Sequence, residues 1–160
     1  MIFTLVLLCD PGCEEYASGE IQELVKKTLV PKRGYLTIPD CSLEDAALLC
    51  YRSQSASRIL VFLQEGPIAA PEDVLKNQFY LDYDYSPFIE QDAAFRVLCL
   101  RHGTHPFQSP EVEEVVGSPL QDKHGWKVDL KRPAMTLLCL VHDGHYLLGI
   151  DLAGHDLGKR

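Results

Sequence analysis

The stretch from Phe95 to Arg132 constrains the fold more than any other part of this 160-residue chain. Phe95 to Leu100 is a short, nearly unbroken apolar run, which reads as a buried strand. Arg101-His102-Gly103-Thr104-His105-Pro106 carries the glycine and proline of a turn. Ser109-Pro110 then reads as helix N-cap and first helical residue, because proline lacks the N–H that a helix start leaves orphaned. Glu111, Glu113 and Glu114 sit in the first turn, where the helix dipole favours carboxylates. Val112, Val115 and Val116 form a stripe for burial. Gly117 or Pro119 should end or kink this helix. Trp126 to Leu130 alternates as another short strand and ends on Lys131-Arg132.

The flanking segments predict further elements of a mixed α/β (α+β) fold. Ile2–Leu8 reads as a strand and Asp10-Pro11-Gly12 as a turn. Cys13–Lys27 reads as an amphipathic helix with Tyr16, Ala17, Ile21, Leu24 and Val25 on one face. Leu29–Ile38 reads as a hairpin with a basic tip, Lys32-Arg33-Gly34. Ser42 should cap a helix over Leu43–Tyr51, with Asp45 as the acidic half of a capping box. Arg58–Leu63 is another strand. The order β-α-β-β-α-β is that of a ferredoxin-like unit. Gly66-Pro67 and Ala70-Pro71 mark the expected boundary, giving domains at 1–66 and 67–158. Helices are expected over Asp73–Leu81 and around Pro87–Ala93, and Tyr80, Tyr83 and Tyr85 read as ordinary packing at the domain junction, with the nearby aspartates arguing against base stacking on them. Two last strands, Met135–Val141 and Tyr146–Leu152, should meet in a tight hairpin at Asp143-Gly144.

Charge bears on the partner. The formal net charge is −8. It resides in residues 1–93, whereas residues 94–160 are neutral and hold all six histidines. The second half is therefore the less repulsive face for phosphate. Cys9, Cys13, Cys41, Cys50, Cys99 and Cys139 form no CxxC pair, and four lie in apolar runs. Reduced thiols in a cytoplasmic protein explain that pattern. Met1–Cys9 is apolar but too short, and lacks the basic start, for a signal peptide. No run reaches the ~20 apolar residues that span a bilayer, so no membrane partner is expected.

The helix start beside Arg101, His102 and His105 is a candidate anion site, provided the three glutamates point away. Arg101-His102-Gly103-Thr104 also has the look of a histidine phosphatase signature, with His102 as nucleophile and Arg101 as phosphate clamp. That motif should open a larger domain, and only about sixty residues follow it here. His102/His105 and His142/His145 lack the further ligands of a metal set. There is no G-x-S-x-G elbow, P-loop or Rossmann turn. No catalytic residue and no metal are expected in this chain.

Five motifs in order carry a resemblance. They are Phe95-Arg96-Val97, Arg101-x-Gly103-x-His105-x-Phe107-x-Ser109, Val115-Val116-Gly117, Lys127-Val128-Asp129-Leu130-Lys131 and Tyr146-x-x-Gly149-Ile150-Asp151. Together they resemble the THUMP domain, over about residues 67–158. Cys9-Asp10-Pro11-Gly12-Cys13-Glu14-Glu15 is similar to the opening of the ferredoxin-like domain that precedes it. Leu157-Gly158-Lys159-Arg160 is similar to a hinge into a methyltransferase domain. The resemblance extends to guanine-N2 RNA methyltransferases, chiefly those acting on tRNA. It implies an RNA-binding module that positions the acceptor stem and 3′ end for a catalytic domain after Arg160, with S-adenosylmethionine bound there and no cofactor in this chain. Thiolation, acetylation or pseudouridylation machinery, or a protein-interaction role, are the other readings. On the RNA reading Arg101, Lys131 and Arg132 neutralise phosphates together with Lys127. His102, His105 and Ser109 donate hydrogen bonds, Phe107 anchors the turn, and Lys32 and Arg33 extend the track.

Overall fold

The computed structural model describes residues 1–27, 29–32 and 34–153. The Arg33 expectation and the hinge expected at Leu157–Arg160 lie outside the described residues. The chain forms two compact units, one of residues 1–62 with the segment that begins at Asp151, the other of residues 63–150.

The first unit contains β1 (Phe3–Leu8), α1 (Glu14–Val25), β2 (Val30–Lys32), β3 (Tyr35–Cys41), α2 (Leu43–Arg52) and the first half of β4 (Arg58–Pro67). Its strands lie in the order β2-β3-β1-β4, every pair antiparallel. That order and connectivity are ferredoxin-like. Leu5, Leu7, Ile21, Leu36, Ile38, Leu49, Ile59 and Leu60 fill the core. On α1 the buried residues are Ala17, Ile21 and Val25, one per turn. Tyr16, expected on that face, is 70% exposed. It precedes Ala17 by one residue, a rotation of about 100° around the helix.

Polar side chains fix both ends of α2. Ser42 and Asp45 form the expected capping box, each accepting the other's backbone N–H at 3.1 and 3.0 Å. Glu20 gathers the turn after α2, accepting from the Ser53 and Ser55 hydroxyls at 2.7 Å and from the N–H of Gln54 and Ser55. Arg58 meets the buried Asp151 carboxylate at 2.6 Å.

The second unit begins within β4. A 3₁₀ helix (Pro71–Lys76) and the one-turn α3 (Phe79–Asp82) stand where one helix over 73–81 was expected. Gln64 explains the break. Its Nε2 faces the carbonyls of Val74 and Asn77 and the Tyr146 hydroxyl, and its Oε1 accepts the Tyr80 N–H. A side chain takes the backbone bonds that a continuous helix would use. Residues 87–93 form turns, not the expected helix. Tyr80 and Tyr85 are core residues, and Tyr83 is half-buried.

Then follow β5 (Ala94–His102), α4 (Ser109–His124), β6 (Lys127–Val128), β7 (Met135–His142) and β8 (His145–Asp151). β5 is parallel to both β6 and β7. β7 and β8 meet at Asp143-Gly144, with Asp143 at φ 52°. β6 has two residues rather than the five expected from Trp126 to Leu130, and it pairs only Ala94 and Phe95. Farther along β5, the Glu113 carboxylate accepts the Cys99 N–H at 2.9 Å.

α4 neither ends nor starts where the sequence suggests. It runs through Gly117 and Pro119 to a left-handed C-cap at Gly125 (φ 73°). An interior proline costs about 3 kcal/mol. Burial of Val112, Val116 and Leu120 outweighs that cost. The Tyr80 hydroxyl donates to the Val116 carbonyl at 2.9 Å. A Cβ at Gly117 would make only ordinary contacts with the sheet, 3.5 Å from Val97 and 3.9 Å from Phe95. At the other end Gln108, not Ser109, is the N-cap, and the Glu111 carboxylate accepts the Gln108 N–H. No helix among the described residues is long and apolar enough to cross a membrane.

Candidate nucleic-acid interface

β5 delivers Arg101 to the N-terminus of α4. Residues two apart share a strand face, so Arg101 continues the row Phe95, Val97, Cys99. Three neutral acceptors hold its guanidinium. Nε donates to the Ser109 hydroxyl at 3.2 Å, Nη2 to the Gln108 side-chain oxygen at 3.1 Å, and Nη1 to His105 Nδ1 at 3.3 Å. These take three of the five N–H donors of the group and leave its charge without a carboxylate among them. Of the three glutamates, Glu111 turns back to Gln108 and Glu113 to Cys99.

His105 has both ring nitrogens engaged. Nδ1 accepts from Arg101, and Nε2 donates to the Asp143 carbonyl at 2.7 Å. This is the pattern of a neutral, Nε2-protonated imidazole. In this arrangement both His105 nitrogens are used within the protein, and the ring orients Arg101. Ser109 likewise uses its oxygen as an acceptor for Arg101. Phe107 is buried as expected, with its ring centroid 5.0 Å from that of His105.

The remaining expected residues lie elsewhere. His102 follows Arg101 along the strand, so the two point to opposite faces. It pairs in register with His142, their rings 6.1 Å apart and nearly edge-to-face. A phosphatase site needs both groups on one phosphoryl group, and this strand keeps them apart. Lys127 pairs with Ala94 at the start of β5. Lys131 and Arg132 follow in a turn whose N–H groups both bond to the Asp129 carboxylate at 2.9 and 3.1 Å. Seven residues of strand, about 23 Å, separate Ala94 from Arg101. The basic residues thus form two clusters, not one track. Lys32 belongs to the other unit, on β2.

Two features were not foreseen. Gln108 completes the Arg101 clamp; its position two before Pro110 was the available signal, since a cap precedes a first-turn proline. Cys99 and Cys139 lie side by side in register. Their mutual hydrogen bond lowers the Cys99 thiol against the effect of burial, with Ser109 and Arg101 assisting. The same bond, with burial, raises Cys139. Burial pushes the Cys9 and Cys41 thiols up to about 11.

No cluster of three or more metal-ligating side chains occurs among the described residues. Nor does the turn after β5 suit a dinucleotide-like cofactor. Gly103 has φ 104°, and the Asp143 carboxylate occupies the space its Cβ would take.

Residues 77–151 match the THUMP domain family. The chain is 43% identical over 156 residues to a tRNA (guanine(6)-N2)-methyltransferase of Thermus thermophilus, covering 94% of this chain and 45% of that protein. It is 28% identical over 169 residues to the ribosomal RNA large subunit methyltransferase K/L of Pseudomonas fluorescens, covering 99% and 21%. Among solved structures, TrmN from Thermus thermophilus superposes with a TM-score of 0.75 at 30% identity, over 99% of this chain and 48% of that one. A 4-thiouridine synthetase crystallised with RNA and ATP shares the fold at a TM-score of 0.60 and 12% identity, over 94% and 41%. This chain spans less than half the length of these relatives. The antiparallel βαββαβ unit, the β5–α4–β7 crossover and this match identify residues 77–151 as a THUMP domain that follows a ferredoxin-like unit.

Proposed function

We propose that this chain is the RNA-binding part of a tRNA-modifying methyltransferase. It would hold the acceptor stem and 3′ end of a tRNA for a methyltransferase domain that carries S-adenosylmethionine. On this reading the domains are 1–66 and 67–158. The relatives' activities support the assignment to RNA methylation. One observation supports the phosphate-binding role above the others: Arg101 is fixed by three neutral acceptors, with its charge and two N–H donors left for an anion. Lys127, Lys131 and Arg132 supply a second anchor at the other end of β5. Two anchors about 23 Å apart suit backbone and shape recognition rather than base readout. By sequence, Lys32 and Arg33 are further phosphate contacts proposed for the ferredoxin-like domain.

The test is retention of tRNA by the chain over a salt series, for wild type, Arg101→Ala, and Lys131→Ala/Arg132→Ala. Each lost phosphate contact should flatten the log–log salt slope by about 0.7–0.9. Both variants should weaken binding uniformly across tRNA sequences. Absence of binding at low salt, or slopes unchanged in both variants, overturns the phosphate assignment and favours a protein-interaction role.

A further inference from the structure

Gln108 stands apart among the three groups that hold Arg101. Ser109 and His105 are half-buried, whereas Gln108 is exposed, with its side-chain oxygen 3.1 Å from Nη2. A guanidinium has one N–H on Nε and two on each Nη. Nε spends its own on Ser109, Nη1 spends one on His105, and Nη2 spends one on Gln108. One donor therefore remains on each of the two Nη atoms. A pair of donors on neighbouring nitrogens can meet two oxygens of one phosphate.

The carboxylates around this turn are committed elsewhere. Glu111 accepts the Gln108 N–H at 3.2 Å, Glu113 accepts the Cys99 N–H at 2.9 Å, and the Asp143 carboxylate lies against Gly103. Arg101 has no ion-pair partner among the described residues. A long side chain fixed by neutral acceptors has given up its rotamer freedom before a ligand arrives, and it keeps its full charge. A carboxylate at position 108 would hold the guanidinium equally well and cancel that charge. An arginine already paired with a carboxylate has no net charge with which to release counterions from a phosphate.

We propose that Gln108 is the positioning residue of this anion site: its amide oxygen holds the Arg101 guanidinium in place, and its lack of charge keeps the site open to a phosphodiester. The inference rests on the RNA-binding reading and adds to it a residue that acts on the RNA through Arg101. The position suits a test by substitution. Gln108 is exposed and caps α4, and a helix N-terminus favours negative charge, so the fold tolerates glutamate there. Leucine keeps the neutrality and removes the acceptor.

tRNA retention by the 160-residue chain is measured over a salt series for wild type, Arg101→Ala, Gln108→Glu, Gln108→Leu and the double variant Arg101→Ala/Gln108→Glu, with melting temperatures alongside. Arg101→Ala should flatten the log–log slope by about 0.7–0.9, the signature of one lost phosphate contact. Gln108→Glu should flatten it by the same amount, and should change nothing further in the Arg101→Ala background. Gln108→Leu should keep the wild-type slope and weaken binding about two- to tenfold, the cost of ordering one freed side chain on binding. Equal flattening by Gln108→Glu in both backgrounds assigns its effect to plain repulsion and overturns the inference. A wild-type slope for Gln108→Glu, while Arg101→Ala flattens, also overturns it. Both results leave the phosphate reading intact. Flattening by Gln108→Leu to the extent seen with Gln108→Glu overturns the role of neutrality, and wild-type affinity in Gln108→Leu overturns the positioning role. No retention by wild type, or an unchanged slope in Arg101→Ala, overturns the phosphate reading and the inference with it.

Discussion

Replacing Gln64 by leucine keeps the volume of a side chain that is 2% exposed and deletes its amide. Nε2 faces three oxygens, at 2.7 Å for Asn77, 2.9 Å for Tyr146 and 3.1 Å for Val74. It has two N–H groups, so two full bonds are made there. With the 2.9 Å bond from the Tyr80 N–H, three bonds vanish. A buried group left unsatisfied costs about 1–3 kcal/mol, so the gross loss is about 3–9 kcal/mol. Leucine recovers roughly 1–2 kcal/mol of apolar transfer. The net destabilisation should be about 1–8 kcal/mol, with a fall in Tm of roughly 10 °C at the middle of that range. Urea unfolding followed by Trp126 fluorescence measures it. Gln64→Glu adds a sign test. Its carboxyl would face two carbonyls, so its folded pKa should rise above the unfolded value near 4.3. The folded state then binds the extra proton, and stability should fall as pH rises from about 4.3 toward the folded pKa. A leucine variant within about 1 kcal/mol of wild type, or a glutamate variant whose stability does not fall with pH, would falsify the reasoning.

Three shorter predictions follow from the same geometry. Gly117→Ala should stabilise α4 by about 0.5–1 kcal/mol, since the new Cβ meets only ordinary contacts at 3.5 Å and beyond and helix propensity improves; a lower Tm would show that the helix–sheet spacing has no slack. Ser42→Ala should cost about 1 kcal/mol through loss of the capping box, measured by chemical denaturation. Burial raises the Glu20 carboxyl, but the Ser55 and Ser53 hydroxyls and the N–H groups of Gln54 and Ser55 outweigh it, so its pKa is lowered on folding. Its contribution is thus present above the unfolded value near 4.3 and lost as pH falls below it, and Glu20→Gln should flatten the acid limb of stability against pH.

Local chemistry was legible in the sequence where it was self-contained. Ser42 and Asp45 announce a capping box three residues apart, and Asp143-Gly144 announces a hairpin, because each signal closes within a few residues. Pro119 misled for the complementary reason. Its local penalty is visible in sequence, whereas the burial of Val116 and Leu120 and the Tyr80 hydroxyl come from distant parts of the chain. The 73–81 segment split because Gln64, nine residues upstream, captures its backbone. The candidate site was half legible. Arg101, His105 and Ser109 do converge, with His105 and Ser109 both bonded to the Arg101 guanidinium. Lys127, Lys131 and Arg132 fell at the other end of β5, because the helix α4 carries the chain back before a parallel strand can begin.

Glu113 has a further consequence, for solubility. β6 covers only Ala94 and Phe95, so the rest of that side of β5 would offer backbone donors to any passing strand. An unpaired strand edge is a template for association between molecules. The Glu113 carboxylate occupies the Cys99 N–H and brings a negative charge to that edge. The same residue that keeps its charge off the Arg101 clamp also keeps one copy of this sheet from recruiting the next.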